Sequence, residues 1–111
     1  PLGDSVFFIN DLSELIRLDA RTGDFIWASK LPEYLDKDNN RKKEIIAHHG
    51  PIVAGGRLII ASSDEKLRQF DPESGNELES FRIPGGATTS PIVAGGTLYV
   101  VSKRGELHAF R

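Results

Sequence analysis

Short apolar runs broken by turn residues fill this chain, and no stretch of ten or more residues keeps a helical period. Val6-Phe7-Phe8-Ile9 is apolar, β-branched and aromatic, which predicts a buried strand. Asn10-Asp11-Leu12-Ser13 supplies turn chemistry, and Glu14-Leu15-Ile16-Arg17-Leu18 follows with near alternation, so the pair reads as a hairpin. Asp19-Ala20-Arg21-Thr22-Gly23 is a turn in which the Asp carboxylate can accept backbone amides. Asp24-Phe25-Ile26-Trp27-Ala28 is the next strand.

The same grammar recurs further along. Ile52-Val53-Ala54 and Leu58-Ile59-Ile60-Ala61 are strands joined by Gly55-Gly56, a pair that can take positive φ at both turn positions without a Cβ clash. Lys66-Leu67-Arg68-Gln69-Phe70 alternates with period two, and Asp71-Pro72-Glu73-Ser74-Gly75 turns the chain. Glu77-Leu78-Glu79-Ser80-Phe81-Arg82-Ile83 follows, apolar at 78, 81 and 83, with the mixed face of an outer, partly solvated strand. Pro51 to Leu58 then returns, 40 residues on, as Pro91 to Leu98 with Gly95-Gly96 at its turn; 10 of the 21 positions from 51 to 71 are identical at that offset. The first unit aligns as well, 52 residues back: Leu18 meets Phe70, Asp19 meets Asp71, Gly23 meets Gly75 and Ile26 meets Leu78. The chain therefore holds three copies of one unit.

A period near forty residues with four antiparallel strands is the pattern of a β-propeller blade. The predicted fold class is all-β: a fragment of a β-propeller built from four-stranded antiparallel blades. Residues 1–31 form a partial blade, 48–87 a complete one, and 88–111 a partial blade without its outer strand. Because the sequence opens on Pro1, a trimmed piece of a longer protein is expected, which would self-associate through exposed strand edges if isolated.

The longer first spacing comes from residues 32–47, read as an inter-blade loop insertion, polar and of mixed charge. Its basic cluster Arg41-Lys42-Lys43 is diluted by Asp36, Asp38 and Glu44, and a net charge of −2 over 111 residues gives no electrostatic reason to expect nucleic acid. His48 and His49 invite a metal, yet neighbours on an extended chain point to opposite faces and no third ligand stands at a suitable spacing. With no cysteine there is neither a disulfide framework nor a thiol nucleophile, and no apolar run approaches the roughly 20 residues of a spanning helix. The carboxylates at 14, 19, 24, 71, 73, 77 and 79 fall in turns or on outer strands, and Ser62, Ser90 and Ser102 lack the strand-to-helix elbow of a serine nucleophile. No catalytic, cofactor-binding or metal residues are assigned.

Leu18-Asp19-Ala20-Arg21-Thr22-Gly23-Asp24-Phe25-Ile26-Trp27 resembles the repeat of pyrroloquinoline-quinone-type β-propellers, matching it at Asp19, Thr22, Gly23 and Trp27. The resemblance implies that Trp27 docks between blades with an Asp–Gly turn positioning it. Arg17 departs from the usual small residue, and the second copy keeps Asp71 and Gly75 but carries Glu79 where Trp would stand. The glycine pairs 55–56 and 95–96 complete the repeat positions. Among such propellers the chain looks like the C-terminal blades of the BamB-type outer-membrane assembly lipoproteins. That implies a non-catalytic, lipid-anchored periplasmic scaffold whose partner is the barrel-inserting subunit of the assembly complex, with no cofactor. The alternatives are part of a quinone-dependent dehydrogenase, whose adjacent-cysteine disulfide this chain lacks, and a generic propeller interaction domain.

Overall fold

A computed structural model describes residues 4–36 and 43–110. Twelve strands run through them: β1 (Ser5–Ile9), β2 (Glu14–Asp19), β3 (Phe25–Lys30), β4 (Tyr34–Asp36), β5 (Lys43–Ile45), β6 (His48–Ala54), β7 (Arg57–Ser62), β8 (Lys66–Phe70), β9 (Glu77–Arg82), β10 (Ile92–Ala94), β11 (Thr97–Val101) and β12 (Leu107–Phe110). They form sheets of order β1-β2-β3, β6-β7-β8-β9 and β10-β11-β12, plus the two-stranded β4-β5, and every pairing is antiparallel. The architecture is all-β, a fragment of a propeller with one four-stranded blade between two three-stranded neighbours.

The register shows why the repeat folds this way. Phe7, Arg17 and Trp27 lie side by side across the first sheet, and Ile59, Gln69 and Glu79 occupy the same row of the central one. Side chains alternate between faces along each strand, so the central sheet has two faces to bury. Leu58, Ile60 and Phe70 pack toward the first sheet with Leu15, Trp27 and Leu31. Ile59, Ala61 and Leu67 pack toward the third with Leu98 and Val100, joined by Ile83 and Ala87 from the connecting segment. Both faces being covered, β7 is buried from Leu58 through Ser62 and reads as a continuous apolar run. Ala87 ties the two sheets together, donating its N–H to the Ser62 carbonyl at 2.9 Å while bridging Ser102.

Three local expectations change. In the Val6–Ile9 run, Phe7 and Ile9 pack on the core, while Val6 and Phe8 lie on a face that no sheet covers among the described residues. The strand expected at 52–54 begins earlier, at His48, with a register shift between His49 and Ile52. Within 32–47, read as loop, Tyr34 pairs with Ile45 and Asp36 with Lys43 in the β4-β5 ladder; the polar composition concealed a β-favouring aromatic opposite a β-branched residue. Residues 37–42, including Arg41 and Lys42 of the basic cluster, lie outside the described residues. The outer strand β9 is exposed along its whole length, in keeping with its mixed sequence.

Candidate functional site

The joint between the first two sheets is built around one indole. Trp27 Nε1 donates to the Pro72 carbonyl at 2.9 Å, and Arg17 Nη1 donates to the same oxygen at 3.0 Å. The ring lies over Gly75, where a β-carbon would stand 2.6 Å from Cε3. Phe7 flanks it at 6.2 Å between ring centroids, and the Arg17 guanidinium sits 5.7 Å from the centre of the Phe7 ring. Both Asp–Gly turns have one geometry. Asp19 Oδ1 accepts the Arg21 amide at 2.8 Å and Asp71 Oδ1 accepts the Glu73 amide at 2.9 Å; Gly23 and Gly75 each donate their N–H to the Asp carbonyl at 2.8 Å. Thr22 Oγ1 closes the first turn by accepting the Asp24 amide at 3.2 Å. The indole of one blade thus rests on the turn of the next.

Sequence reading placed Trp27 at a docking position and noted Arg17 only as a departure. Its role depends on register: Arg17 stands between Phe7 and Trp27 in one cross-strand row, so its guanidinium reaches the same carbonyl as the indole. Gly55-Gly56 and Gly95-Gly96 sit at the β6-β7 and β10-β11 turns with positive φ at all four positions.

The corresponding row of the second joint is different. Arg57 Nη1 bridges Gln69 Oε1 at 2.7 Å and Glu79 Oε2 at 2.6 Å, with no ring in the row. A cavity of about 490 Å³ opens there, walled by Ile59, Phe81, Val93, Leu98 and Phe110 with Arg57, Gln69 and Glu79 at its polar end. Phe81 reaches across to Phe110, 6.1 Å between centroids.

His48 anchors the base of the insertion. Its Nε2 lies 2.8 Å from the Pro32 carbonyl, which can only accept, so this nitrogen carries the proton. Nδ1, 2.6 Å from Ser62 Oγ, then accepts from the buried hydroxyl. Burial lowers the pKa of His48 and, less enclosed, of His49; Arg68 adds to the shift at His48, while the Pro32 hydrogen bond and Asp64 oppose it. Close by, Arg68 is buried against Asp64 in a two-pronged pair, at 3.1 and 2.5 Å. Among the described residues no three His, Cys, Asp or Glu side chains gather as metal ligands. Of the other carboxylates singled out, Glu14 accepts from Asn10 Nδ2 at 2.8 Å, and Glu77 stands 4.0 Å from Arg68. His108 is part-buried, 3.6 Å from Glu106.

The family model described as outer membrane protein assembly factor BamB matches residues 1–111. The outer membrane protein assembly factor BamB of Legionella pneumophila (strain Paris) is 25% identical over 105 residues, 95% of this chain and 24% of that protein. The crystal structure of BamB from Moraxella catarrhalis superposes with a TM-score of 0.75 at 16% identity, over 98% of this chain and 29% of that one. A quinohemoprotein alcohol dehydrogenase from Pseudomonas putida superposes at 0.60 with 18% identity, over 87% of this chain and 15% of that one. These two structural likenesses concern the fold. The chain spans about a quarter of the length of the curated relative it matches.

Proposed function

The chain belongs to the family of the outer membrane protein assembly factor BamB, and from that premise we propose that it forms part of a non-catalytic scaffold for outer-membrane β-barrel assembly. The observation that carries this is the match of the family model along the whole chain. In this reading the parent protein is a periplasmic, lipid-anchored propeller, and its partner is the barrel-inserting subunit of the assembly complex. Its mechanism is docking. Blades locked to one another by buried joints hold loops and strand edges in fixed positions, so a partner binds without ordering the scaffold. The β4-β5 strand pair, with Tyr34 and Ile45 exposed opposite one another, and the strand edges are the elements offered to such a partner.

The test is co-purification of the tagged full-length protein from detergent-solubilised outer membranes. Recovery of the barrel-inserting subunit in stoichiometric amount is expected. Its absence, together with dye-linked alcohol oxidation on addition of quinone and calcium, would favour the dehydrogenase reading, whose support is the likeness of fold.

A further inference from the structure

We propose that His48 is a proton-sensitive clasp between the first two blades, closed while the imidazole is neutral and opened by its protonation. Each end of this joint is held by a ring N–H that reaches a proline carbonyl across it. At one end, just beyond Phe70 of β8, Trp27 of the first blade donates to Pro72. At the other, where β7 ends at Ser62, His48 of the central blade donates to Pro32, on the segment that leaves the first blade after β3. The two bonds are 2.9 and 2.8 Å long and cross the joint in opposite directions. An indole N–H does not titrate near neutral pH, and an imidazole does.

The surroundings of His48 select the neutral ring. Nδ1 accepts from the fully buried Ser62 hydroxyl, so a second ring proton there would meet a group already turned toward it as donor. Burial is the main force against the cation, and Arg68 and His49 add to it; the Pro32 carbonyl and Asp64 act the other way. Arg68 and Asp64 are locked together in their own buried pair, and Glu33, on the arm beside Pro32, is paired with Lys30. The ring therefore takes up its second proton by leaving the site, and the Pro32 bond goes with it. Leu31, buried and bonded to Ser13, keeps its arm on the first blade, while Ala47 stays on the central blade through Ser63. What loosens is the crossing between the two arms, where the Ile46 amide donates to the Glu33 carbonyl at 2.9 Å. The β4-β5 pair stands directly on that crossing.

That acid thereby alters an element offered to a partner rests on the scaffold reading; the clasp itself does not, and its test contains no partner. The test is hydrogen exchange of the full-length protein by mass spectrometry between about pH 5 and pH 7.5, corrected for the intrinsic pH dependence of exchange. An NMR titration of its 13C-labelled imidazoles runs alongside. Peptides covering 32–36 and 43–47 should lose protection in step with His48 protonation, while those covering 71–75, at the Trp27 end, keep theirs. Opening should grow by about tenfold for each pH unit that separates the pKa of the closed site from that of a free imidazole. His48→Gln, which does not titrate, should remove the pH dependence, with protection at 71–75 showing that the protein is folded. Glu33→Gln and His49→Gln should leave the dependence in place. Protection at 32–36 and 43–47 that ignores pH overturns the proposal, as does an equal loss at 71–75. So does a dependence that survives His48→Gln, or one that vanishes with Glu33→Gln or His49→Gln.

Discussion

Trp27 and Gly75 come from neighbouring blades and touch so closely that the glycine hydrogen is the only substituent the indole admits: a β-carbon would lie 2.6 Å from Cε3 and 2.7 Å from Cδ2. The same residue has φ +79°, a region that L side chains rarely occupy. Two independent restrictions therefore fall on one position. Gly75→Ala should cost about 2–4 kcal/mol, from overpacking plus the left-handed backbone. Denaturant unfolding of the full-length protein checks the loss, and a red shift of Trp27 fluorescence would show the ring displaced.

Trp27 itself separates packing from hydrogen bonding. Trp27→Ala removes a buried ring and should cost about 3–5 kcal/mol. Trp27→Phe keeps an aromatic face over Gly75 and loses the indole donor, yet Arg17 still donates to the Pro72 carbonyl. Its expected cost is about 1–2 kcal/mol. Equal losses for the two variants in equilibrium unfolding would contradict this division.

The Arg68–Asp64 pair is buried on both sides, with side-chain exposures of 5% and 7%. Among the described residues, Asp64→Ala leaves the guanidinium with Glu77, 4.0 Å away, as its carboxylate neighbour, and should cost about 3–5 kcal/mol. Replacing both, as Asp64→Leu with Arg68→Met, removes the stranded charge and should recover most of that loss. A double-mutant cycle by urea titration reads the coupling; additive losses would count against it.

His48 gives the fold a pH dependence of defined sign. Its pKa lies below the ordinary value of 6.5 when folded, so the unfolded chain binds protons first. The stability it contributes is complete above about pH 6.5 and is lost as pH falls through the folded pKa. Protonation would force Nδ1 to donate toward Ser62 and deprive that buried hydroxyl of its acceptor. Urea midpoints measured between about pH 5 and pH 7.5 should rise with pH, and His48→Ala should flatten the slope to what His49 leaves. A slope unaltered by His48→Ala would refute the assignment.

Much of this was legible because the chain states its unit three times. The glycine pairs, the Asp–Gly turns and the alternation in 66–70 each describe local backbone chemistry, and the strands lie where that chemistry puts them. What escaped depends on contacts between copies. Whether Val6 faces core or solvent is decided by the presence of a covering sheet, which no local pattern encodes. Arg17 looked like an exception to its repeat until register set it beside Trp27. Glu79 was visible as a missing Trp, but its bond to Arg57, in one row with Gln69, emerges only from the cross-strand register. The β4-β5 ladder lies in a segment whose charged residues outnumber the two that favour pairing.

The most direct measurement is calorimetric titration of the full-length protein with the purified periplasmic domains of the barrel-inserting subunit, alongside a titration with pyrroloquinoline quinone and calcium. Saturable one-to-one binding of the protein partner, with no heat from the quinone, is the expected result. Tight quinone binding with no response to the subunit would contradict the scaffold function.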